Sequence, residues 1–219
     1  MRIILLTHAD ESFAPISNIT IPIFEEYCKR HKIDFIYKTI HTSQRHIVWE
    51  KISLILDLFE NHRNEFDWLF YCDADIMIMN HSIELKSFID DSKDFIITHD
   101  CNGFNAGVFL LRNSNWSFNF IKRVWNVDPG HSEMQGKFGE TLAEQLAMKH
   151  AMKWMPDHER AEHIKVVSQD LFNCYLYNEY SLSHNEGNFK IGDFVLHLPG
   201  MENHRREEIF NKYKDMIIR

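Results

Sequence analysis

The sequence lacks the features that mark several common protein classes. Its four cysteines form no C-x-x-C pair and stand in apolar surroundings, so neither a zinc site nor a disulfide framework is indicated. No apolar run approaches the roughly 20 residues that a membrane span requires. The first strand-like segment reaches His8 and Asp10 too soon to hold the apolar region of a signal peptide. These absences favour a cytoplasmic protein, with peripheral attachment to a membrane left open.

An excess of positive charge is also absent. The formal net charge is -8 and the chain has no basic stripe, which argues against a nucleic-acid partner. The chain has no internal repeat, no low-complexity tract and no break in composition that would mark a boundary. A chain of 219 residues with 44% hydrophobic residues can bury a substantial core. We therefore predict a single domain over residues 1–219.

Strand and helix patterns alternate along the first third of the chain. In order, they are "RIILLTH" (strand), residues 18–31 (helix), "IDFIYKTI" (strand), "VWEKISLILDLFENHR" (amphipathic helix) and "WLFYCDAD" (buried strand). The order βαβαβ predicts an α/β fold with a mostly parallel central sheet and helices on both faces. Further strands are predicted at "DFIITHD", "GVFLLRN" and "DFVLHLPG". In such folds ligands bind at the carboxyl ends of the strands.

Two carboxylates, Asp73 and Asp75, stand at the end of the buried strand "WLFYC" and are followed by further apolar residues. Neighbouring carboxylates repel each other and resist burial unless a cation accompanies them. Oxygen ligands with one imidazole favour Mn²⁺ or Mg²⁺ over zinc or copper. The alternative is that both are exposed acids that end a strand.

Five segments, in consistent order from about Trp49 to Gly200, carry a resemblance to a known family. They are "VWEKISLI", "DWLFYCDADIMIMN", "GFNAGVFLLRNSNWS", "LAEQLAM" and "FVLHLPG". Together they resemble the metal-dependent GT-A glycosyltransferases, most closely glycosyltransferase family 34, with a second likeness to family 8. The resemblance implies a GT-A fold in which residues 1–100 bind the nucleotide and residues 101–219 bind the donor sugar and the acceptor.

The resemblance also implies roles for the residues at the metal and the diphosphate. Asp75 and His197 would hold the metal, with Asp73 doing so directly or through a ribose contact. Gly200 would let the backbone approach the diphosphate, for which a missing Cβ is the usual reason. Read without the resemblance, His197 could be a core histidine and Gly200 an ordinary turn glycine.

Other residues are placed around the donor by the same resemblance. Asn105 and Gly107 match the donor-sugar segment, and the alternative for them is a turn before a strand. Glu144 and Gln145 match the pair beside the reacting carbon, and the alternative is two solvated helix residues.

Three further residues are assigned to the nucleotide or the donor. Lys51 could reach a diphosphate or a donor hydroxyl, or be a solvated lysine. Thr7 and Asp10 follow the first strand, where such folds bind the base and ribose.

Two departures from the family pattern are visible. The family carries two acids before the glutamine, and here the first of these positions is Ala143. The family also carries a lysine shortly after H-x-x-G, whereas this chain offers only His204, Arg205 and Arg206 there. If none of these substitutes, stabilisation of the leaving group would depend on the metal and Lys51.

The implied reaction is retaining transfer of a sugar from a nucleotide diphosphate sugar to a hydroxyl of a glycan or glycoconjugate. A UDP-sugar is favoured, and a GDP-sugar is the other option. The Pro- and Gly-containing segment 128–139 is predicted to be a loop that acts as a lid or contacts the acceptor.

Three alternatives remain open at this point. One is a metal- and nucleotide-sugar-binding protein with weak or no turnover, and another is a structural α/β protein. An aspartyl phosphatase is disfavoured, because Met77 stands where that class usually has Thr or Val.

Overall fold

A computed structural model of the chain describes residues 1–39, 41–127, 143–180 and 186–219. The predicted loop at 128–139 lies outside these ranges. The strands are β1 (Ile3–His8), β2 (Asp34–Lys38), β3 (Trp68–Cys72), β4 (Ile76–Ile78), β5 (Phe95–Asp100), β6 (Gly103–Arg112), β7 (Ile164–Val167) and β8 (Val195–His197). The helices are α1 (Ala14–His31), α2 (Glu50–Asn61), α3 (Asn115–Trp125), α4 (Ala143–Lys153), α5 (Asp157–His163) and α6 (Asn203–Tyr213).

The central sheet has six strands in the order β2-β1-β3-β6-β5-β7. The pairs β1–β2, β1–β3 and β5–β7 are parallel, whereas β6 runs antiparallel to both β3 and β5. The predicted βαβαβ order of the first three strands is confirmed. The sheet is mixed, with three parallel pairings and two antiparallel ones. The antiparallel strand follows from the connection between β5 and β6, which is too short for the crossover that a parallel pair needs.

Two hydrophobic cores cover the two faces of the sheet. One contains side chains of α1 and α6, and the other contains side chains of α2, α3 and α4. Residues of β3 divide between them, because successive side chains of a strand point to opposite faces. Phe70 lies in the first core, and Leu69 and Tyr71 lie in the second. The prediction of helices on both faces is confirmed.

A second sheet of two short strands, β4 and β8, holds the segment after the acids in place. The strands are antiparallel, with Ile76 opposite His197 and Ile78 opposite Val195. The residue after β8, Leu198, donates its N–H to the carbonyl of Asp75 at 3.1 Å. The small sheet therefore fixes the distance between the second acid and the late histidine, which are 122 positions apart in sequence.

Candidate active site

The carboxyl end of β3 opens onto a cluster of polar side chains. Asp73 is the first residue after the strand, and its backbone N–H donates to the carbonyl of Gly107 on β6 at 2.7 Å. The Tyr71 hydroxyl donates to Asp73 Oδ1 at 2.7 Å. Tyr71 and Asp73 are two positions apart, which puts both side chains on the same side of an extended chain.

Asp73, Asp75 and His197 form one group that can hold a metal ion. Each offers a ligand atom, and these atoms lie within 4.8 Å of one another. Asp73 is half-buried, whereas Asp75 and His197 are buried. Two carboxylate oxygens and one imidazole nitrogen form a donor set that suits Mn²⁺ or Mg²⁺ better than a soft metal. The residues present therefore fit a divalent cation.

Asp75 lies between two basic side chains. His197 Nε2 lies 3.4 Å from its Oδ1, and Arg206 Nη2 donates to its Oδ2 at 2.9 Å. Burial alone would raise the pKa of Asp75, but His197 and then Arg206 outweigh it and hold this pKa below its usual value. The carboxylate is thus kept ionised, which is the form that a metal ligand requires.

Lys51 connects the metal cluster to helix α4. Its side chain is almost fully buried, and Nζ lies 3.1 Å from Asp73 Oδ1, from Glu144 Oε1 and from the carbonyl of Ala106. Burial lowers the pKa of Lys51, but the two carboxylates outweigh it and raise the pKa above its ordinary value. Because an ammonium has three donors, these contacts engage all of them. The alternative, a solvated lysine, is thus excluded by its burial.

Glu144 and Gln145, at the start of α4, are both buried, and Gln145 contacts the first half of β6. Glu144 Oε2 has no hydrogen-bond partner in the described part of the chain, and burial raises the pKa of this carboxyl despite the nearby Lys51. Gln145 Oε1 accepts from the N–H of Ala106 at 2.9 Å. The pair is therefore part of the cluster and not a solvated helix surface.

Asn105 and Gly107 lie in β6 beside the metal cluster. The Asn105 amide is engaged within the protein: Nδ2 donates to Asp100 Oδ2 and to the Tyr175 hydroxyl, each at 2.9 Å, and Oδ1 accepts from Gly107 N–H at 2.8 Å. A Cβ at Gly107 would come within 2.8 Å of both Asp73 Oδ2 and His197 Cε1. Glycine at this position is what allows the two ligands to approach the strand.

Gly200, Thr7 and Asp10 are the remaining residues that were assigned to the nucleotide. Gly200 has φ +67°, the left-handed region that favours glycine, and a Cβ there would meet nothing within 4 Å. The Thr7 side chain is fully buried, and its hydroxyl has no hydrogen-bond partner among the described residues. The Asp10 carboxylate caps the turn that follows by accepting from the Ser12 N–H at 3.0 Å. Their binding roles stay predictions.

Tyr71 and Asn173 were not selected from the sequence, and Arg206 was only one of three candidates to replace the missing lysine. Tyr71 could have been found, because it lies near the end of β3, two positions before Asp73. Asn173, whose Oδ1 lies 2.7 Å from His197 Nδ1, gave no signal, since it is 24 positions from its partner. Among the three candidates after Gly200, only Arg206 contacts Asp75 in the described structure. Arg205 pairs with Glu179 and Glu208.

Comparison with known proteins identifies the family. The model of the galactosyl transferase GMA12/MNN10 family matches residues 3–93 and 89–208. The chain belongs to this family, which is glycosyltransferase family 34. The resemblance stated from the five motifs is therefore confirmed, and the matched region also includes the first strand and Arg206.

Curated relatives agree with this assignment. The probable α-1,6-mannosyltransferase MNN10 of Saccharomyces cerevisiae is 31% identical over 145 residues, which cover 51% of this chain and 37% of that protein. An α-1,2-galactosyltransferase of Schizosaccharomyces pombe is 23% identical over 95% of this chain and 63% of its own length. The chain thus spans less than two thirds of the length of either relative.

Solved structures confirm the GT-A fold. A glycosyltransferase involved in the glycosylation of the major capsid of PBCV-1 superposes with a TM-score of 0.73 at 17% identity, covering 97% of this chain and 100% of that one. The galactosyltransferase LgtC, in complex with donor and acceptor sugar analogs, gives a TM-score of 0.59 at 13% identity, covering 97% and 96%. Within the described residues no helix combines the length and the apolar character needed to cross a membrane.

Proposed function

We propose that this protein is a metal-dependent, retaining glycosyltransferase that moves a sugar from a nucleotide diphosphate sugar to a hydroxyl of a glycan or glycoconjugate. The observation that carries the proposal is the placement of Asp73, Asp75 and His197 within 4.8 Å of one another, joined through Lys51 to Glu144. Membership of family 34 supports the reaction class. A UDP-sugar is the favoured donor, with a GDP-sugar as the other option.

The metal site has the residues that such a reaction needs. Asp73, Asp75 and His197 would hold Mn²⁺, with Mg²⁺ as the other option. When bound, the cation supplies neutralisation of the charge that develops on the leaving diphosphate. Lys51 keeps Asp73 in place, since its ammonium is fully engaged by protein acceptors. Its contribution to the leaving group is therefore through Asp73.

Arg206 is the residue that replaces the lysine of the family pattern. Its guanidinium donates from Nε to the carbonyl of Leu198, from Nη1 to Asn203 and from Nη2 to Asp75. A guanidinium has five N–H donors, so two remain for phosphate oxygens. The Tyr180 hydroxyl adds a further hydrogen-bonding group, because it is buried without a partner among the described residues. Burial, and then the nearby charge of Asp75, raise the pKa of the Tyr180 hydroxyl.

Glu144 and Gln145 would contact the transferred sugar. Glu144 Oε2 has a free acceptor site for a sugar hydroxyl. Gln145 Oε1 accepts one hydrogen bond from Ala106, and a carbonyl oxygen has two lone pairs. The second lone pair can face the positive charge of an oxocarbenium-like centre. We favour same-face attack by the acceptor, with the departing phosphate taking the acceptor proton.

A calorimetric titration tests the proposal. UDP, GDP and their sugars are titrated into the protein with Mn²⁺, with Mg²⁺ or with a chelator, and the series is repeated on Asp75→Ala. Asp215→Ala, which removes an exposed carboxylate from the turn after α6, is the matched control. We expect metal-dependent binding of one nucleotide, lost in the first variant and kept in the second. Absence of binding under every condition would refute the proposal.

The alternative is a protein of the same fold that binds nucleotide sugars with weak or no turnover. The alanine at position 143 favours it, because the first of the two acids in the family pattern is missing. Release of free sugar from the donor without an acceptor separates the two. Slow, metal-dependent hydrolysis supports the transferase, and tight binding without hydrolysis supports the binder.

A further inference from the structure

A metal-ligating imidazole has to present a bare nitrogen to the ion, which requires that its proton sit on the other nitrogen. In His197 the nitrogen near Asp75 is Nε2, at 3.4 Å from Oδ1. Its Nδ1 lies 2.7 Å from Asn173 Oδ1. Since an amide oxygen only accepts hydrogen bonds, this contact requires a proton on Nδ1. Nε2 is then the nitrogen that faces Asp75 and is left to bind a metal ion.

The orientation of the Asn173 amide is itself set by its surroundings. The side chain is fully buried. Its Nδ2 donates to Thr98 Oγ1 at 3.0 Å and makes a longer contact, 3.5 Å, with the Tyr175 hydroxyl. Backbone pairing holds it beside the histidine: His197 N–H donates to the carbonyl of Cys174 at 2.8 Å, and Tyr175 forms a parallel bridge with His197. The amide oxygen is therefore directed to Nδ1.

Asp100 determines the direction of the hydrogen bonds around Tyr175. The Tyr175 hydroxyl donates to Asp100 Oδ2 at 2.8 Å, because an ionised carboxylate only accepts. Burial, reinforced by Asp100, raises the pKa of Tyr175 well above its ordinary value, so the phenol keeps its proton. Having donated to Asp100, the hydroxyl can only accept from the amides of Asn105 and Asn173. Both amides then have their oxygens turned towards the metal cluster.

We infer that Asn173 is a positioning residue for the metal site: with Asp100 and Tyr175 it forms a directed chain of hydrogen bonds that holds His197 with Nδ1 protonated and Nε2 directed at Asp73 and Asp75. The inference rests on the proposed metal site but concerns the apo protein as well. Outer hydrogen-bond partners of this kind are worth about 10- to 100-fold in metal affinity. None of Asp100, Asn173 and Tyr175 belongs to the five motifs.

The tautomer is measured first, in the metal-free protein, by nitrogen chemical shifts of histidine-labelled samples. We expect the His197 signals to show a protonated Nδ1, because Asn173 Oδ1 can only accept. An unprotonated Nδ1 would overturn the inference. This measurement does not depend on metal binding or on activity, so it remains decisive even if the proposed function fails.

Metal affinity is then compared by titration of Mn²⁺ into the wild type and two variants of Asn173. Asn173→Leu removes the acceptor, and we expect about 10- to 100-fold weaker binding. Asn173→Asp keeps an acceptor for Nδ1–H, and we expect affinity within about threefold of wild type or tighter, because a carboxylate raises the basicity of the ligand. If Asn173 had only a structural role, the leucine and aspartate variants would bind Mn²⁺ with the same affinity as long as both fold. Equal affinity of both variants and wild type would refute the inference.

A second pair of variants covers the case in which Asn173→Leu does not fold. Tyr175→Phe removes the hydroxyl of the chain, and we expect a smaller loss of Mn²⁺ affinity together with a mixture of His197 tautomers. Tyr177→Phe is the matched control, since it removes a buried hydroxyl that donates to Gln169 Oε1. We expect wild-type affinity for the control. Equal losses in the two variants would contradict the inference, whereas wild-type protein that binds no Mn²⁺ would contradict the proposed function.

Discussion

Lys51 and Glu144 form a buried ion pair, with Nζ 3.1 Å from Oε1, between the first turn of α2 and the first turn of α4. The same ammonium lies 3.1 Å from Asp73 Oδ1. One positive charge therefore faces two carboxylates, one at the metal cluster and one at the predicted reacting centre. The ion pair makes the position of α4 dependent on the segment that carries Asp73.

Replacement of Lys51 by methionine should destabilise the metal-free protein by about 3–5 kcal/mol, because removal of the ammonium leaves the buried Glu144 carboxylate unpaired. The free energy of unfolding is measured by denaturant titration in the presence of a chelator. Lys29→Met, at an exposed position of α1, is the control and should change stability by less than about 0.5 kcal/mol. The double variant Lys51→Met/Glu144→Gln should recover part of the loss, and strict additivity would contradict the pairing.

Gly107→Ala should weaken Mn²⁺ binding while the protein stays folded. The added Cβ would lie 2.8 Å from Asp73 Oδ2 and from His197 Cε1, so the two ligands have to move apart. Gly200→Ala is the informative comparison, because its Cβ meets nothing within 4 Å but its φ of +67° is strained for alanine. That variant should lose about 1–2 kcal/mol of stability and keep its metal affinity. Both properties are measured on each variant, and equal metal affinities in the two would refute the steric argument.

The relation between sequence and structure differs between these two glycines. Both stand in recognisable motifs, but only the structure shows that a Cβ at Gly107 would collide with Asp73 and His197 and that Gly200 has a left-handed backbone. The first strands and helices were predictable, since their apolar periods are regular and each element buries its own face. The small sheet of β4 and β8 was not, because three-residue strands carry too little pattern to reveal their pairing. Its consequence, the meeting of Asp75 with His197, came from the family resemblance.

The antiparallel β6 shows a signal that was available and not used. The predicted strands "DFIITHD" and "GVFLLRN" are separated by six residues, which is too few for a helical crossover. An antiparallel pair could therefore have been predicted in place of a mostly parallel sheet. Asn173 and Tyr175 offered no comparable signal, since their contacts with His197 and Asp100 span 24 and 75 positions.

Arg206→Gln should weaken binding of the nucleoside diphosphate by about 1.5–3 kcal/mol, the usual contribution of hydrogen bonds to charged groups. The affinity for the corresponding nucleoside, which lacks phosphate, should not change. Arg205→Gln is the matched control, because this neighbouring side chain pairs with Glu179 and Glu208 and not with Asp75. Calorimetry with both ligands in Mn²⁺ checks the prediction. Equal effects of the two substitutions would exclude Arg206 as the substitute for the missing lysine.

Stability should fall between neutral and mildly acidic pH in part because of His81. This ring is fully buried, neither nitrogen has a hydrogen-bond partner among the described residues, and its backbone N–H donates to the carbonyl of Ile218 near the C-terminal end. Burial lowers the pKa of His81; Glu26 opposes this, while Arg219, Arg30 and His31 reinforce it.

The sign follows from where the proton binds. The unfolded chain takes up a proton on His81 as the pH falls through its ordinary value of about 6.5, whereas the folded protein does not until its lower pKa is reached. The free energy of unfolding therefore decreases as the pH falls from about 6.5 to the lower pKa of His81 in the folded protein. His81→Leu should flatten the slope of unfolding free energy between pH 7.5 and pH 5.5, measured by denaturant titration at several pH values. His204→Leu should change the slope less, because that side chain is exposed in the folded protein as well as in the unfolded chain, and an unchanged slope in His81→Leu would contradict the assignment.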